Sequence, residues 1–375
     1  MDFDRRPILV FWETTRACLL ACRHCRAAAI PEPLPGELST AEAETLLERV
    51  AAFGRPRPVL VATGGDVLMR RDLDVLARRT RELGLPLALA PSVTPLLDEE
   101  RVASLRRLGV RVASISLDGA SGGVHDRIRG VPGHFDATLA AIRRLRRHGI
   151  TVQVNTVVMR ETVEELPAVA RIVAGLDASI WELFFLVRVG RGAALGALSP
   201  DENEHVCHFL VDASRRGFVV RTVEAPFFRR VVAERAGGAA PPVDGLYRAL
   251  RDRLDAELGP AAGPPRAQTK GTRDGRGIVF VGHDGTIAPS GFLPVALGNV
   301  REDDVVEVYR GHPLLRRIRA AEFGGRCGTC PYRQLCGGSR ARAFAETGDP
   351  LAEDPGCAYE PAASGNIRQR LAPVR

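Results

Sequence analysis

Apolar, β-branched runs alternate with helically spaced apolar positions over most of the chain. Seven runs read as strands: Pro7–Thr14, Val59–Thr63, Leu85–Ala90, Val110–Leu117, Thr151–Val158, Ile180–Val187 and Phe218–Val223. Between them, apolar residues recur at helical spacing over Thr40–Ala52, Arg71–Leu83, Asp98–Leu108, Phe135–His148, Val163–Ala174 and Asp201–Arg215. Helix starts carry capping signals: Ser39 and Thr40 precede Glu42 and Glu44, and Thr162 precedes Glu164 and Glu165. Strands that read as nearly continuous apolar runs, each followed by a helix, predict a parallel sheet covered on its outer face. The fold expected is α/β, a partial (β/α)6-type barrel over residues 1–235. Such a barrel places its site at the C-terminal ends of its strands.

The pattern then changes. Ala236–Pro242 and Gly259–Thr272 are rich in Gly, Pro and Ala and flank a helical stretch around Leu246–Leu258, so residues 236–272 read as a linker region with a helix. Gly277–Gly282 and Thr286–Pro289 bracket His283-Asp284-Gly285 and predict a β-hairpin turning at Asp-Gly. Residues 273–375 form a small cysteine-rich C-terminal unit.

The length of 375 residues and the 45% apolar content suit two units with a sizeable core. The net charge is +7, but the arginines are spread over predicted helix faces such as Arg143, Arg144, Arg146 and Arg147. That spread gives no reason to expect nucleic-acid binding. No apolar run reaches the ~18–20 residues of a membrane span. The run Pro7–Trp12 is too short for a secretory signal. A cytoplasmic protein with no membrane partner is the expectation.

Of the eight cysteines, seven fall in two clusters, which favours metal ligation over disulfides. The eighth, Cys207, lies in a predicted helix and reads as a small buried hydrophobe. The first cluster is Cys18-x3-Cys22-x2-Cys25, directly after the first strand. Three thiolates this close can hold three irons of a 4Fe–4S cluster and leave the fourth iron open. A structural zinc would need a fourth protein ligand, and His24 is badly spaced to be one.

The stretch Trp12-Glu13-Thr14-Thr15-Arg16-Ala17-Cys18-Leu19-Leu20-Ala21-Cys22-Arg23-His24-Cys25 resembles the signature loop of the radical S-adenosylmethionine superfamily. In that family the open iron chelates S-adenosylmethionine, and one electron from the cluster cleaves it to a 5′-deoxyadenosyl radical. The resemblance makes Cys18, Cys22 and Cys25 catalytic and places His24 near the adenine. Thr63-Gly64-Gly65-Asp66 is similar to the family's Gly-Gly-Glu motif, with Asp66 for Glu and Val67 where Pro is common. By that likeness Gly64 and Gly65 let backbone approach the cofactor, and Asp66 accepts from its ammonium. Ser116 and Asp118, at the end of the fourth strand, and Asn155, in the fifth, resemble positions that hold its ribose and carboxylate. The family also implies an electron donor such as flavodoxin or ferredoxin.

The second cluster is Cys327-x2-Cys330-x5-Cys336 followed by Cys357. Four cysteines of this kind can bind zinc. The run Cys327–Ala343 and the stretch Gly348–Cys357 resemble the C-terminal SPASM extension, which carries auxiliary 4Fe–4S clusters. With Ser290 and no Cys in Pro289–Val300, one auxiliary cluster is expected, making two [4Fe–4S] clusters in all. The C-terminal run and the stretch Asp118–Phe135 look most like the branch containing heme b synthase and the heme d1 biosynthesis protein. That likeness implies oxidative decarboxylation of tetrapyrrole propionates; radical modification of a ribosomally made peptide is the alternative. A non-catalytic iron–sulfur electron carrier is the competing class, but it would need neither the Gly64–Asp66 motif nor a barrel. Arg16, Arg188 and Arg191 lie near strand ends where guanidinium groups could meet substrate carboxylates, and Glu224–Phe227 could line the same mouth.

Overall fold

The computed structural model describes residues 2–268 and 271–361. Its strands are β1 (Leu9–Glu13), β2 (Val59–Thr63), β3 (Leu87–Leu89), β4 (Val112–Ser116), β5 (Thr151–Val158), β6 (Ile180–Phe185), β7 (Val219–Val223), β8 (Ile278–Val281), β9 (Thr286–Ala288) and β10 (Gly298–Asn299). They form one sheet in the order β10-β9-β8-β1-β2-β3-β4-β5-β6-β7. From β1 to β7 every neighbouring pair is parallel. The α/β architecture and parallel sheet are as expected.

Each strand crosses over through a helix: α1 (Thr40–Ala51), α2 (Leu73–Glu82), α3 (Glu99–Leu108), then α4 (Gly122–Arg129) with α5 (His134–Arg147), then α6 (Leu166–Gly175) and α7 (Pro200–Ala213). Ser39 and Ser199 cap α1 and α7 with full capping boxes through Glu42 and Glu202. The strands are not the continuous apolar runs expected. Their burial alternates: Val152, Val154, Trp181 and Leu183 are buried among helix residues such as Ile142, Leu145 and Val173. Gln153, Asn155, Glu182 and Phe184, on the opposite face, are half-buried. The inner face of the sheet is therefore accessible and partly polar, unlike the packed centre of a closed barrel.

The predicted hairpin is β8–β9, antiparallel and turning at Asp284-Gly285. It does not stand apart from the first part of the chain. β8 pairs in parallel with β1 from Leu9↔Ile278 to Trp12↔Val281 and covers that edge of the sheet. At the other edge, Arg266–Gln268 of the linker region runs along β7, with Val220 N–H donating to Arg266 O and Gln268 N–H to Val220 O. Cys207 is fully buried in the core, as its helical setting suggested.

Candidate active site

The loop after β1 is held from both sides by backbone approaches that only glycine allows. A Cβ on Gly64 would lie 2.5 Å from Thr15 O, and one on Gly65 would lie 2.3 Å from Ala17 O. On the far side, a Cβ on Gly190 would lie 2.2 Å from Arg26 O. These glycines admit the cysteine loop itself, and Gly65 also lines the cavity that the loop faces. Arg191 completes the clamp: its N–H donates to Cys25 O at 3.0 Å, its Nε to Cys22 O at 2.9 Å and its Nη1 to Ala29 O at 2.8 Å.

The clamped loop presents Cys18, Cys22 and Cys25 to one cavity of about 210 Å³. Gly65, His24, Ser116, Asp118 and Asn155 line the same cavity. Phe184, Phe185, Leu186, Val187 and Phe292 make up an apolar part of its lining. Each cysteine sulfur has a donor nearby. Leu20 N–H lies 3.3 Å from Cys18 Sγ, Ala29 N–H 3.5 Å from Cys25 Sγ, and Arg129 Nη1 3.6 Å from Cys22 Sγ. Burial raises the Cys18 thiol above its usual value despite these donors, so it ionises most readily when a metal takes the proton's place.

Asp66 does not face the cavity. It is fully buried, and its carboxylate accepts from Leu68 N–H at 3.1 Å, Ser92 N–H at 3.2 Å and Thr94 Oγ1 at 3.0 Å. Burial raises its carboxyl, and it is committed to fixing the turn after β2. Asn155 does line the cavity. Gln153 Nε2 donates to Asn155 Oδ1 at 2.8 Å and to Glu182 Oε2 at 2.7 Å, which leaves the Asn155 amide nitrogen as the group available to a ligand.

Asp118 is fully buried and accepts from Arg129 Nη2 at 2.5 Å and from Val157 N–H at 2.9 Å. Burial raises this carboxyl, but Arg129 above all outweighs it and holds it below the usual range. His24 Nε2 lies 3.5 Å from Asp118 Oδ2. Burial lowers His24 to about 4, so its ring is neutral at pH 7. Arg129 lies on α4, a helix not read from the sequence.

The same helix carries His125, the first member of a neutral relay. Asp118 N–H donates to His125 Nδ1 at 3.1 Å, so the His125 proton sits on Nε2, which donates to His134 Nδ1 at 2.8 Å. His134 Nε2 in turn donates to Val93 O at 2.9 Å. A second proton on either ring would face another donor. Burial, then the nearby Arg129, lowers His125 to about 3 against 6.5 unfolded. A folded pKa below the unfolded one means this stability is complete above pH 6.5 and lost as pH falls toward 3. The unfolding free energy from anaerobic urea titrations should therefore be lower at pH 5.5 than at pH 7.5, with a slope for this ring of up to about 1.4 kcal/mol per pH unit below pH 6.5. An equal acid slope in His125→Gln would show that the relay is not its source.

The arginines expected to meet substrate are engaged elsewhere. Arg16 Nη2 donates to Ala27 O and Ala28 O, Arg188 forms a bidentate pair with Glu346, and Arg191 clamps the loop. Arg191 nonetheless lines the cavity, and its Nη2 is buried without a partner. Arg26, not anticipated, lines it too. Arg26 Nη2 meets Glu13 Oε2 at 2.6 Å and Nη1 donates to Gly291 O at 3.0 Å, beside the rings of Phe280 and Phe292. Glu224 is no mouth residue: it is buried, with a backbone φ of +58°, and accepts from Ser339 Oγ.

The other four cysteines, Cys327, Cys330, Cys336 and Cys357, line a second cavity of about 30 Å³, too small for a substrate. Burial pushes the Cys336 thiol up to about 12 and Cys357 to about 11. Among the described residues, no three Cys, His, Asp or Glu side chains converge tightly on one point as a single ion demands. Both sets of thiols instead line cavity walls. Cavity, buried thiols and sulfur-directed donors together fit iron–sulfur clusters, and the unpartnered Arg191 Nη2 and His24 Nδ1 of the first cavity fit a polar cofactor.

Comparison with known proteins agrees. Residues 12–173 match the Radical SAM superfamily. The chain is 37% identical over 357 residues to the AdoMet-dependent heme synthase of Oleidesulfovibrio alaskensis, covering 94% of this chain and 87% of that one. It is 30% identical over 377 residues to the pre-heme d1 synthase of Dinoroseobacter shibae, covering 96% and 88%. Its fold matches Streptococcus suis SuiB bound to the precursor peptide SuiA with a TM-score of 0.71 at 15% identity, covering 95% of this chain and 76% of that one. A cysteine loop clamped by glycines at the C-terminal strand ends, and near-full-length identity to these synthases, make the chain a radical SAM enzyme of the heme synthase and pre-heme d1 synthase branch.

Proposed function

We propose that this enzyme oxidatively decarboxylates propionate side chains of a tetrapyrrole. Residues 1–235 would hold the cofactor, residues 273–375 a second cluster, and residues 236–272 would join them. The observation that carries the reading is the apolar part of the cavity that the cysteine loop shares. Phe184, Phe185, Leu186, Val187 and Phe292 make an apolar surface suited to a flat macrocycle, and the unpartnered Nη2 of Arg191 lies among the lining to meet a carboxylate. Similarity to a protein named AdoMet-dependent heme synthase supports a tetrapyrrole substrate.

Cys18, Cys22 and Cys25 would hold a [4Fe–4S] cluster, with His24, Ser116, Asp118 and Asn155 around S-adenosylmethionine. Bound there, the pair supplies a radical that removes one hydrogen atom from the substrate. Loss of carbon dioxide to leave a vinyl group then requires the substrate to give up one further electron; Cys327, Cys330, Cys336 and Cys357 would hold a second cluster able to accept it. The protein's part is to orient substrate, exclude water and keep His24 neutral. A reduced flavodoxin or ferredoxin would supply electrons in the cytoplasm.

The test is direct. Reduced, anaerobically reconstituted enzyme with S-adenosylmethionine receives an iron porphyrin bearing propionates, or its methyl ester. The acid should stimulate 5′-deoxyadenosine formation and lose carbon dioxide, and the ester should do neither. Stimulation by neither compound would refute the tetrapyrrole reading in favour of a peptide substrate. Equal turnover of both would remove carboxylate recognition.

A further inference from the structure

Three buried guanidinium groups lie behind the C-terminal cysteine loop, bonded to its backbone or to a cysteine sulfur and without a carboxylate partner. Arg340 is 0% exposed, Arg273 5% and Arg229 9%. Among the described residues none of them forms an ion pair with an acid. Their donors go to backbone carbonyls: Arg340 to Gly338, Pro350 and Ala352, Arg273 to Gln334, Cys336 and Ile318, and Arg229 to Leu335 and Thr272. Arg340 Nη2 also lies 3.7 Å from Cys327 Sγ. Of the other arginines nearby, Arg342 pairs with Asp354, Arg230 with Glu204 and Glu234, and Arg326 with Glu353 and Glu360, while Arg333 lines the cavity from an exposed position. Asp274 accepts from the Arg340 and Ala341 backbone N–H groups.

The approach is built into the chain. A Cβ on Gly337 would lie 2.6 Å from Arg273 Nη1, and one on Gly338 would meet Arg340 Nη2. The two glycines beside Cys336 thus let both guanidiniums close on the cysteine loop. Both also lie over the Phe323 ring, 5.3 and 4.4 Å from its centroid. Ring faces and carbonyl dipoles offset only part of the cost of burying a full charge. A guanidinium keeps its charge at neutral pH.

We propose that Arg229, Arg273 and Arg340 are the counter-charge of the group held by Cys327, Cys330, Cys336 and Cys357, and that they raise its reduction potential. The inference rests on a cluster occupying that site. Four thiolates make such a cluster a net anion, and reduction makes it more negative, so uncompensated positive charge in a low-dielectric shell favours the reduced form. An electron acceptor needs that bias.

The experiment uses full-length protein carrying Cys18/Cys22/Cys25→Ala, so that only the C-terminal site is observed. Iron, sulfide and zinc are measured first, then the midpoint by a redox titration followed by paramagnetic resonance. Arg273→Gln and Arg229→Gln should retain iron and shift the midpoint to more negative potential. Arg273→Lys, which keeps the charge, should stay near the parent. Equal midpoints in Gln and Lys variants would overturn the tuning role, as would loss of iron from both Gln variants with the fold intact, which marks a structural role. Stoichiometric zinc in the parent would overturn this proposal together with the cluster reading, and metal analysis distinguishes that result from the others.

Discussion

Replacing Cys18, Cys22 and Cys25 together by alanine should abolish 5′-deoxyadenosine formation and remove about half the iron of the reconstituted enzyme, by a count of three and four thiolate ligands. The expected loss is complete because no other side chain in the cavity can take over. His24 lies within the loop, but its ring faces Asp118, and the Asp118 carboxylate is committed to Arg129 and Val157 N–H. The fold should survive. The clamp on the loop runs through backbone atoms and through Gly64, Gly65, Gly190 and Arg191, none of which depends on a thiol. Iron and sulfide analysis beside a cofactor-cleavage assay checks both parts. Complete loss of iron would show that the C-terminal cysteines hold no cluster of their own, and residual cleavage would remove the three cysteines from the chemistry.

The positions of the strands were readable because β-branched runs such as Thr151–Val158 and Ile180–Phe185 carry their own signal. The two-residue alternation in Thr-Val-Gln-Val-Asn was also present, yet it was read as a continuous apolar run. It marks a sheet whose inner face meets a cavity instead of a packed centre. The helix Gly122–Arg129 was missed because it opens on two glycines and is short, so its periodicity is weak. With it went Arg129 and His125, whose roles arise only when the chain folds back over the cysteine loop. The cysteine spacings alone singled out the two sets of thiols that line the two cavities, since such spacing is local. The jobs of the arginines were not local. Arg16, Arg188 and Arg191 sit at strand ends as substrate contacts would, but their partners Ala27, Glu346 and Cys22 are brought in by tertiary structure. The same holds for β8: its hairpin turn is a sequence signal, whereas its parallel pairing with β1, across most of the chain, is not.

Asp118→Ala should destabilise the enzyme by about 3–5 kcal/mol, the usual cost of breaking a buried ion pair from one side. Asp118 and Arg129 are 0% and 9% exposed, and the substitution leaves the guanidinium with Cys22 Sγ as its remaining partner. It also strips the acceptor from Val157 N–H and the neighbour from His24. Most of this cost is the stranded charge and not the lost contact itself. The double variant Asp118→Ala/Arg129→Met should therefore recover most of the stability, because an apolar side chain in that space carries no desolvation penalty. Cofactor cleavage should not recover with it, since Arg129 also donates to Cys22 Sγ and Asp118 lines the cavity. Urea denaturation of the wild type, both single variants and the double variant closes the cycle. If the two single losses simply add in the double variant, the pair is not coupled and Asp118 stabilises the fold through Val157 alone. If stability and cleavage recover together, Asp118 and Arg129 serve only to hold the cysteine loop in place, and neither belongs among the cofactor-binding residues.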